Sequence, residues 1–149
     1  MNVLIVEDDP AKASQLRAFV QTLSDGAQIS EARSIQTALR RLAECKPDFV
    51  VLDMSLPTFD PGPDEPGGKP QGFGGREVLR RIERAKLACK VFVVTQYETF
   101  GKKSDQVTLQ ELTEDLRRCH PTVFVGSVYY SSATDDWKEE LADLICLER

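Results

Sequence analysis

Apolar residues along this chain keep two rhythms that alternate from the first residues to the last. Three short runs are continuous: Val3-Leu4-Ile5-Val6, Phe49-Val50-Val51-Leu52 and Val91-Phe92-Val93-Val94. Uninterrupted apolar runs of this length are expected of strands covered by helices on both faces. Between them, apolar positions recur three and four apart. Asp9-Pro10 predicts a helix start, with aspartate as N-cap and proline at the first helical position, and Leu16, Phe19, Val20 and Leu23 share one face before Asp25-Gly26 ends the helix. Residues 27–32 alternate weakly, as an edge strand does. Ser34 caps a second helix through Ile35, Ala38, Leu39, Leu42 and Ala43, stopped by Lys46-Pro47.

A third helix is expected from about Gly75 to Ala88, carrying Val78, Leu79, Ile82 and Ala85, and a fourth on Leu109, Leu112, Leu116 and Cys119, ended by His120-Pro121. Thr122-Val123-Phe124-Val125 opens a last strand that continues through Val128-Tyr129-Tyr130. The final helix places Trp137, Leu141, Leu144 and Ile145 on one side. Five strands alternating with five helices call for right-handed crossovers and an α/β, doubly wound parallel sheet. The segment from Pro57 to Gly75 breaks this pattern with five prolines and six glycines, a composition that makes neither a helix nor a central strand. A single domain over 1–149 is expected, with 57–75 as an insertion. Its first reading is a tolerated surface loop; a sharper one is a lid or docking element with Phe59 and Phe73 as apolar handles. Gly72-Phe73-Gly74-Gly75 lacks the Lys-Ser/Thr ending of a phosphate loop.

Each continuous run ends in a polar group: Glu7-Asp8-Asp9 after the first, Asp53 after the second and Thr95 after the third. In an open parallel sheet the carboxyl ends of the strands share one edge, and ligands bind there at the switch in strand order. An acidic pair, an isolated aspartate and a hydroxyl converging on that edge suit a divalent cation and a phosphoryl group. The plainer alternative makes Asp53 a turn cap, Glu7 and Asp8 solvated carboxylates and Thr95 a β-branched strand residue.

A net charge of −5 argues against nucleic acid as a partner, because phosphate backbones are held by clustered Lys and Arg. Arg40-Arg41 and the arginines at 80, 81 and 84 read as solvated helix faces. No apolar run approaches the roughly 20 residues that span a bilayer, and Met1 leads directly into a strand without a leader pattern, so no membrane association and a cytoplasmic location are expected. Cys45, Cys89, Cys119 and Cys146 form no C-x-x-C pair, and His120 is the one histidine, which leaves zinc without a ligand set. The cysteines read as small hydrophobes near helix ends, and His120 as a loop residue.

Taken together, Val-Leu-Ile-Val-Glu-Asp-Asp-Pro, Val-Val-Leu-Asp-Met-Ser-Leu-Pro and Val-Phe-Val-Val-Thr resemble the receiver domain of two-component response regulators over most of the chain. The resemblance implies the flavodoxin-like strand order 2-1-3-4-5 and Mg²⁺ held by Glu7, Asp8 and Asp53 with the backbone carbonyl of Ser55. It implies that Asp53 accepts a phosphoryl group from a histidine kinase or phosphotransferase, with Thr95 donating its hydroxyl. A downstream protein partner would be engaged through the fourth helix, fifth strand and fifth helix, with no enzymatic activity of the chain's own and an oligomeric state left open.

One departure stands out. Receivers end the fifth strand in Lys-Pro, and this chain reads Tyr129-Tyr130-Ser131-Ser132 there, with serines where Lys-Pro is expected. Lys69, Lys102 or Lys103 could reach in from loops. Either Tyr129 or Tyr130 could be the family's inward-turning aromatic, or one packs while the other lies exposed. The leading expectation is therefore a stand-alone receiver phosphorylated on Asp53, which could also relay phosphate between larger proteins, and the alternative is a pseudo-receiver that binds partners without phosphorylation. A Mg²⁺-dependent phosphohydrolase is disfavoured because Asp53-Met54-Ser55 lacks a second acid two residues on.

Overall fold

The computed structural model describes residues 1–60, 62, 73–101 and 103–148. In chain order the elements are β1 (Asn2–Val6), α1 (Pro10–Leu23), β2 (Gln28–Ala32), α2 (Ile35–Cys45), β3 (Phe49–Leu52), α3 (Gly74–Arg84), β4 (Lys90–Thr95), β5 (Thr99–Phe100), a 3₁₀ turn at Lys103–Asp105, β6 (Val107–Thr108), α4 (Leu109–Cys119), β7 (Phe124–Tyr129) and α5 (Asp136–Leu147). Five strands form one sheet in the order β2-β1-β3-β4-β7, all pairs parallel. This is the expected doubly wound, flavodoxin-like sheet, β7 being its fifth strand.

The alternation of side chains along the central strands sends two sets of apolar groups to opposite faces. Leu4, Val6, Val50, Leu52, Val91 and Val93 pack under α2, α3 and α4. Val3, Ile5, Val51, Phe92, Val94 and Val128 pack under α1 and α5, against Leu16, Val20, Trp137, Leu141 and Ile145. Burial on both faces is why these runs lack the apolar-polar alternation of a half-exposed strand. In β7 the pairing with β4 slips by one residue, Val91 facing Phe124 and Phe92 facing Gly126. Beyond that bulge Tyr129 is exposed and Tyr130 is buried, so one tyrosine packs and its neighbour faces solvent.

The starts of α1 and α2 are those the capping residues predict. The Asp9 side chain accepts the Ala11 N–H at 3.0 Å, and Ser34 and Thr37 form a capping box on α2. At its other end α3 is shorter than expected. Lys86 adopts a left-handed conformation at φ 53°, while its N–H donates to Glu83 and the Leu87 N–H donates to Ile82, a Schellman closure that stops the helix before Ala88.

Three features depart from expectation. A two-stranded antiparallel hairpin, Thr99 opposite Thr108 and Phe100 opposite Val107, is inserted between β4 and α4. Its strands of two residues are too short for any periodic signal. Of the cysteines, Cys89 alone is buried, whereas Cys119 and Cys146 are exposed. His120 is no open loop residue: it caps α4, is buried, and its Nδ1 contacts Glu83 Oε2 on α3.

The expected insertion lies largely outside the described residues, which include 57–60, 62 and 73–75 of it. Its first residues are held by the start of α2, whose Ile35 and Gln36 N–H groups donate to the Pro57 and Thr58 carbonyls at 3.0 Å each. Phe59 is exposed, while Phe73 stacks at 6.0 Å on Phe100 of the hairpin.

Candidate functional site

Backbone pairing assembles the carboxyl edge of the sheet. The Asp53 N–H donates to the Val6 carbonyl and the Glu7 N–H to the Ala32 carbonyl, both at 3.0 Å. The ladder thus runs one residue past each strand and carries Glu7 and Asp53 to the same edge. Carboxylate oxygens of Glu7, Asp8 and Asp53 all lie within 4.8 Å of one another. Glu7 and Asp53 are buried and Asp8 is half-buried. Thr95, at the end of β4 beside β3, is wholly buried, and its Oγ1 accepts the Tyr97 N–H at 3.2 Å, which leaves the hydroxyl hydrogen to donate. Ser55 is half-buried on the connection two residues beyond Asp53.

A residue that the sequence reading passed over completes this cluster. Lys12, in the first turn of α1, has a side chain with no exposure to solvent, and its Nζ stands 2.5 Å from Glu7 Oε2 and 3.6 Å from Asp53 Oδ1. The same Nζ donates to the Val94 carbonyl at 2.8 Å and lies 5.6 Å from the centre of the Tyr130 ring. Withdrawing a charge from water costs several kcal/mol unless it is paired and hydrogen-bonded, and these partners meet that demand. The signal was present in the sequence, because Lys12 falls four residues before Leu16 and eight before Val20, on the apolar stripe of α1.

Of the lysines expected to reach in from loops, Lys69 and Lys102 lie outside the described residues. Lys103 is exposed in the short turn between β5 and β6. Among the described residues, the ammonium at the acids comes from a helix. At the end of β7, Tyr130 occupies the expected lysine's neighbourhood: its N–H donates to the Thr95 carbonyl at 2.8 Å and its ring packs against Trp137. Burial, then Asp9 and Glu7, push its phenol pKa up.

Burial is also the main influence on the acids. It raises Glu7 to about 8, Asp53 adding to the effect and Lys12 opposing it. Asp53 is raised as well, first by burial and then by Asp8, against the lowering effect of Lys12. Asp53 Oδ1 makes no hydrogen bond among the described residues. A buried carboxylate oxygen without a hydrogen-bond donor is destabilising, and one ammonium, nearer to Glu7 than to Asp53, leaves the three acids short of positive charge. Three converging carboxylates, with an oxygen that accepts no hydrogen bond, are a donor set that suits Mg²⁺, a hard ion that takes oxygen ligands and keeps some of its waters.

Comparison with known proteins points to a single family. The family model for the response regulator receiver domain matches residues 3–65. The uncharacterised protein y4jR of Sinorhizobium fredii is 37% identical over 141 residues, covering 93% of this chain and 92% of that one. The Detocs response regulatory protein DtcB of Enterobacter cloacae is 27% identical over 143 residues, 95% of each chain. Among solved structures, the isolated receiver domain of RcsB from Salmonella enterica serovar Typhimurium, determined with phosphomimetic BeF₃⁻, superposes with a TM-score of 0.66 at 18% identity, over 98% of this chain and 88% of that one.

Proposed function

We propose that this chain, which belongs to the response regulator receiver family, accepts a phosphoryl group on Asp53 and signals through protein–protein contact. The observation that carries the reading is the buried Asp53 Oδ1, which accepts no hydrogen bond among the described residues, in a cluster with Glu7 and Asp8. The donor is a phosphohistidine on a histidine kinase or phosphotransferase. An Asp53 carboxylate oxygen attacks the phosphorus, the new O–P bond replaces the N–P bond, and the departing imidazole takes up a proton.

Glu7, Asp8 and Asp53, with the Ser55 carbonyl, would hold Mg²⁺, which supplies positive charge to the ionised carboxylates and to the phosphoryl oxygens. The Thr95 hydroxyl donates to a phosphoryl oxygen from the neighbouring strand end. His120, tied to Glu83 on the side of the sheet covered by α3 and α4, takes no part. Output is a shift between two surface conformations on the face of α4, β7 and α5, where Tyr129 is exposed. Full-length matches with relatives of similar size support a stand-alone receiver that acts on a protein partner, and the missing second acid after Asp53 speaks against a phosphohydrolase.

Intact-mass measurement with Mg²⁺ and acetyl phosphate tests the proposal. A one-phosphate gain in the wild type that is absent from Asp53→Asn is expected, and no gain in either protein overturns it. A second reading, a pseudo-receiver that binds partners without phosphorylation, is favoured by the Lys12 ammonium already paired with Glu7; it would show the absence of adduct together with intact partner binding.

A further inference from the structure

Given phosphorylation at Asp53, the reading on which this inference rests, the transferred group needs a cation on its oxygens in addition to the metal. Negative charge on three phosphoryl oxygens is stabilised by fixed positive groups already in position. The sheet edge has no lysine at the end of β7, where Tyr130 stands instead. The geometry points to Lys12 of α1 as the catalytic cation of this site, contacting the phosphoryl group on Asp53 from beneath the acid cluster.

Four observations converge on this assignment. The Lys12 side chain is fully enclosed, so its ammonium has no solvent-facing alternative. It stands 3.6 Å from Asp53 Oδ1, beyond hydrogen-bond length but within reach of an atom attached to that carboxylate. Its position is fixed by the Val94 carbonyl, the residue before Thr95, so the ammonium and the Thr95 hydroxyl are placed by the same strand end. Finally, the Tyr130 ring borders it at 5.6 Å, so the residue standing in for the strand-end lysine packs against the lysine that performs its task. The ion pair with Glu7 Oε2 holds the ammonium ready before phosphorylation. A metal ion held by Glu7 would compete for that carboxylate and would leave the Lys12 ammonium free for the phosphoryl oxygens.

A purely structural Lys12, serving as an internal counter-ion, makes a different prediction, and the full chain distinguishes the two. Lys12→Gln, and Lys12→Met as a variant that preserves the apolar stem, are compared with wild type in saturating Mg²⁺. The measurements are the rate of adduct formation from acetyl phosphate by intact mass, BeF₃⁻ affinity by Trp137 fluorescence, and Mg²⁺ affinity by calorimetry. The expected result is a split: adduct formation slowed and BeF₃⁻ bound more weakly by about tenfold or more, as for loss of one charge-assisted contact, with Mg²⁺ bound at least as tightly because a competing cation is gone. Wild-type rate and BeF₃⁻ affinity in a folded variant overturn the assignment while leaving Asp53 phosphorylation standing. Absence of adduct in the wild type overturns both.

Discussion

Gly75 approaches the Asp53 backbone so closely that a Cβ on it would stand 2.8 Å from the Asp53 carbonyl oxygen and 3.0 Å from the Met54 Cα. The Gly75 N–H also donates to the Met54 carbonyl at 2.9 Å. The start of α3 is thereby clamped to the segment that carries the acceptor aspartate. Gly75→Ala is expected to destabilise the fold by about 1–3 kcal/mol, the usual cost of overpacking against rigid backbone, and to displace Asp53. Denaturant unfolding measures the first effect and Mg²⁺ affinity the second; a variant equal to wild type in both would show that this contact does not position the site.

The raised pKa of Glu7 predicts how metal-free stability varies with pH. Burial, reinforced by Asp53, holds Glu7 at about 8 against an ordinary 4.5. Between those values the folded state binds more protons than the unfolded state, so stability falls as pH rises through the window. Asp53 shifts in the same direction. In EDTA the melting temperature is therefore expected to fall from the acidic end of the window toward its upper limit. Glu7→Gln should flatten that slope, and so should Mg²⁺ by stabilising the ionised carboxylates. A melting temperature independent of pH in EDTA would contradict the prediction.

Trp137 should report on the site from beneath it. Its ring lies 5.2 Å from that of Tyr130, and Tyr130 in turn borders the Lys12 ammonium. As the one tryptophan in the chain, it gives an unambiguous emission signal. Addition of Mg²⁺ followed by BeF₃⁻ is expected to change that emission, and Tyr130→Leu to remove most of the change. An undiminished response in Tyr130→Leu would mean that the signal travels by another route.

The thiols should separate by reactivity. Burial raises Cys89 to about 11, whereas Cys119 and Cys146 are exposed. At about pH 8 a maleimide is expected to label the two exposed thiols first and Cys89 last, because the thiolate is the reactive form and access is also required. Peptide mapping after timed labelling checks this, and rapid modification of Cys89 in the folded protein would contradict it.

Much of this could be read without coordinates, for reasons that particular residues make plain. Asp9, Pro10 and Ser34 start helices through interactions a few residues away, and Phe49 to Leu52 advertises a doubly covered strand by its lack of polar breaks. Glu7, Asp8, Asp53 and Thr95 were recognisable because each closes such a run. Lys12 was not, because a lysine on a helix is ordinarily read as solvated, and only its register with Leu16 and Val20 marked it as inward-facing. The β5–β6 hairpin escaped because pairs of two residues carry no period. His120 looked like a loop residue because its partner, Glu83, is 37 positions away.

By itself the sequence determined the order of the five sheet strands and the five helices, the two-sided core and the strand ends that bear acid and hydroxyl groups, since each depends on local periodicity or a local cap. Tertiary structure alone decided which positive charge meets those acids. That outcome depends on how α1 lies against β1 and β4, and on the space Tyr130 fills at the end of β7. Chain separation hides such a contact: Lys12 and the Val94 carbonyl that anchors it are 82 residues apart, and only packing of the helix on the sheet brings the ammonium to Glu7 and Asp53.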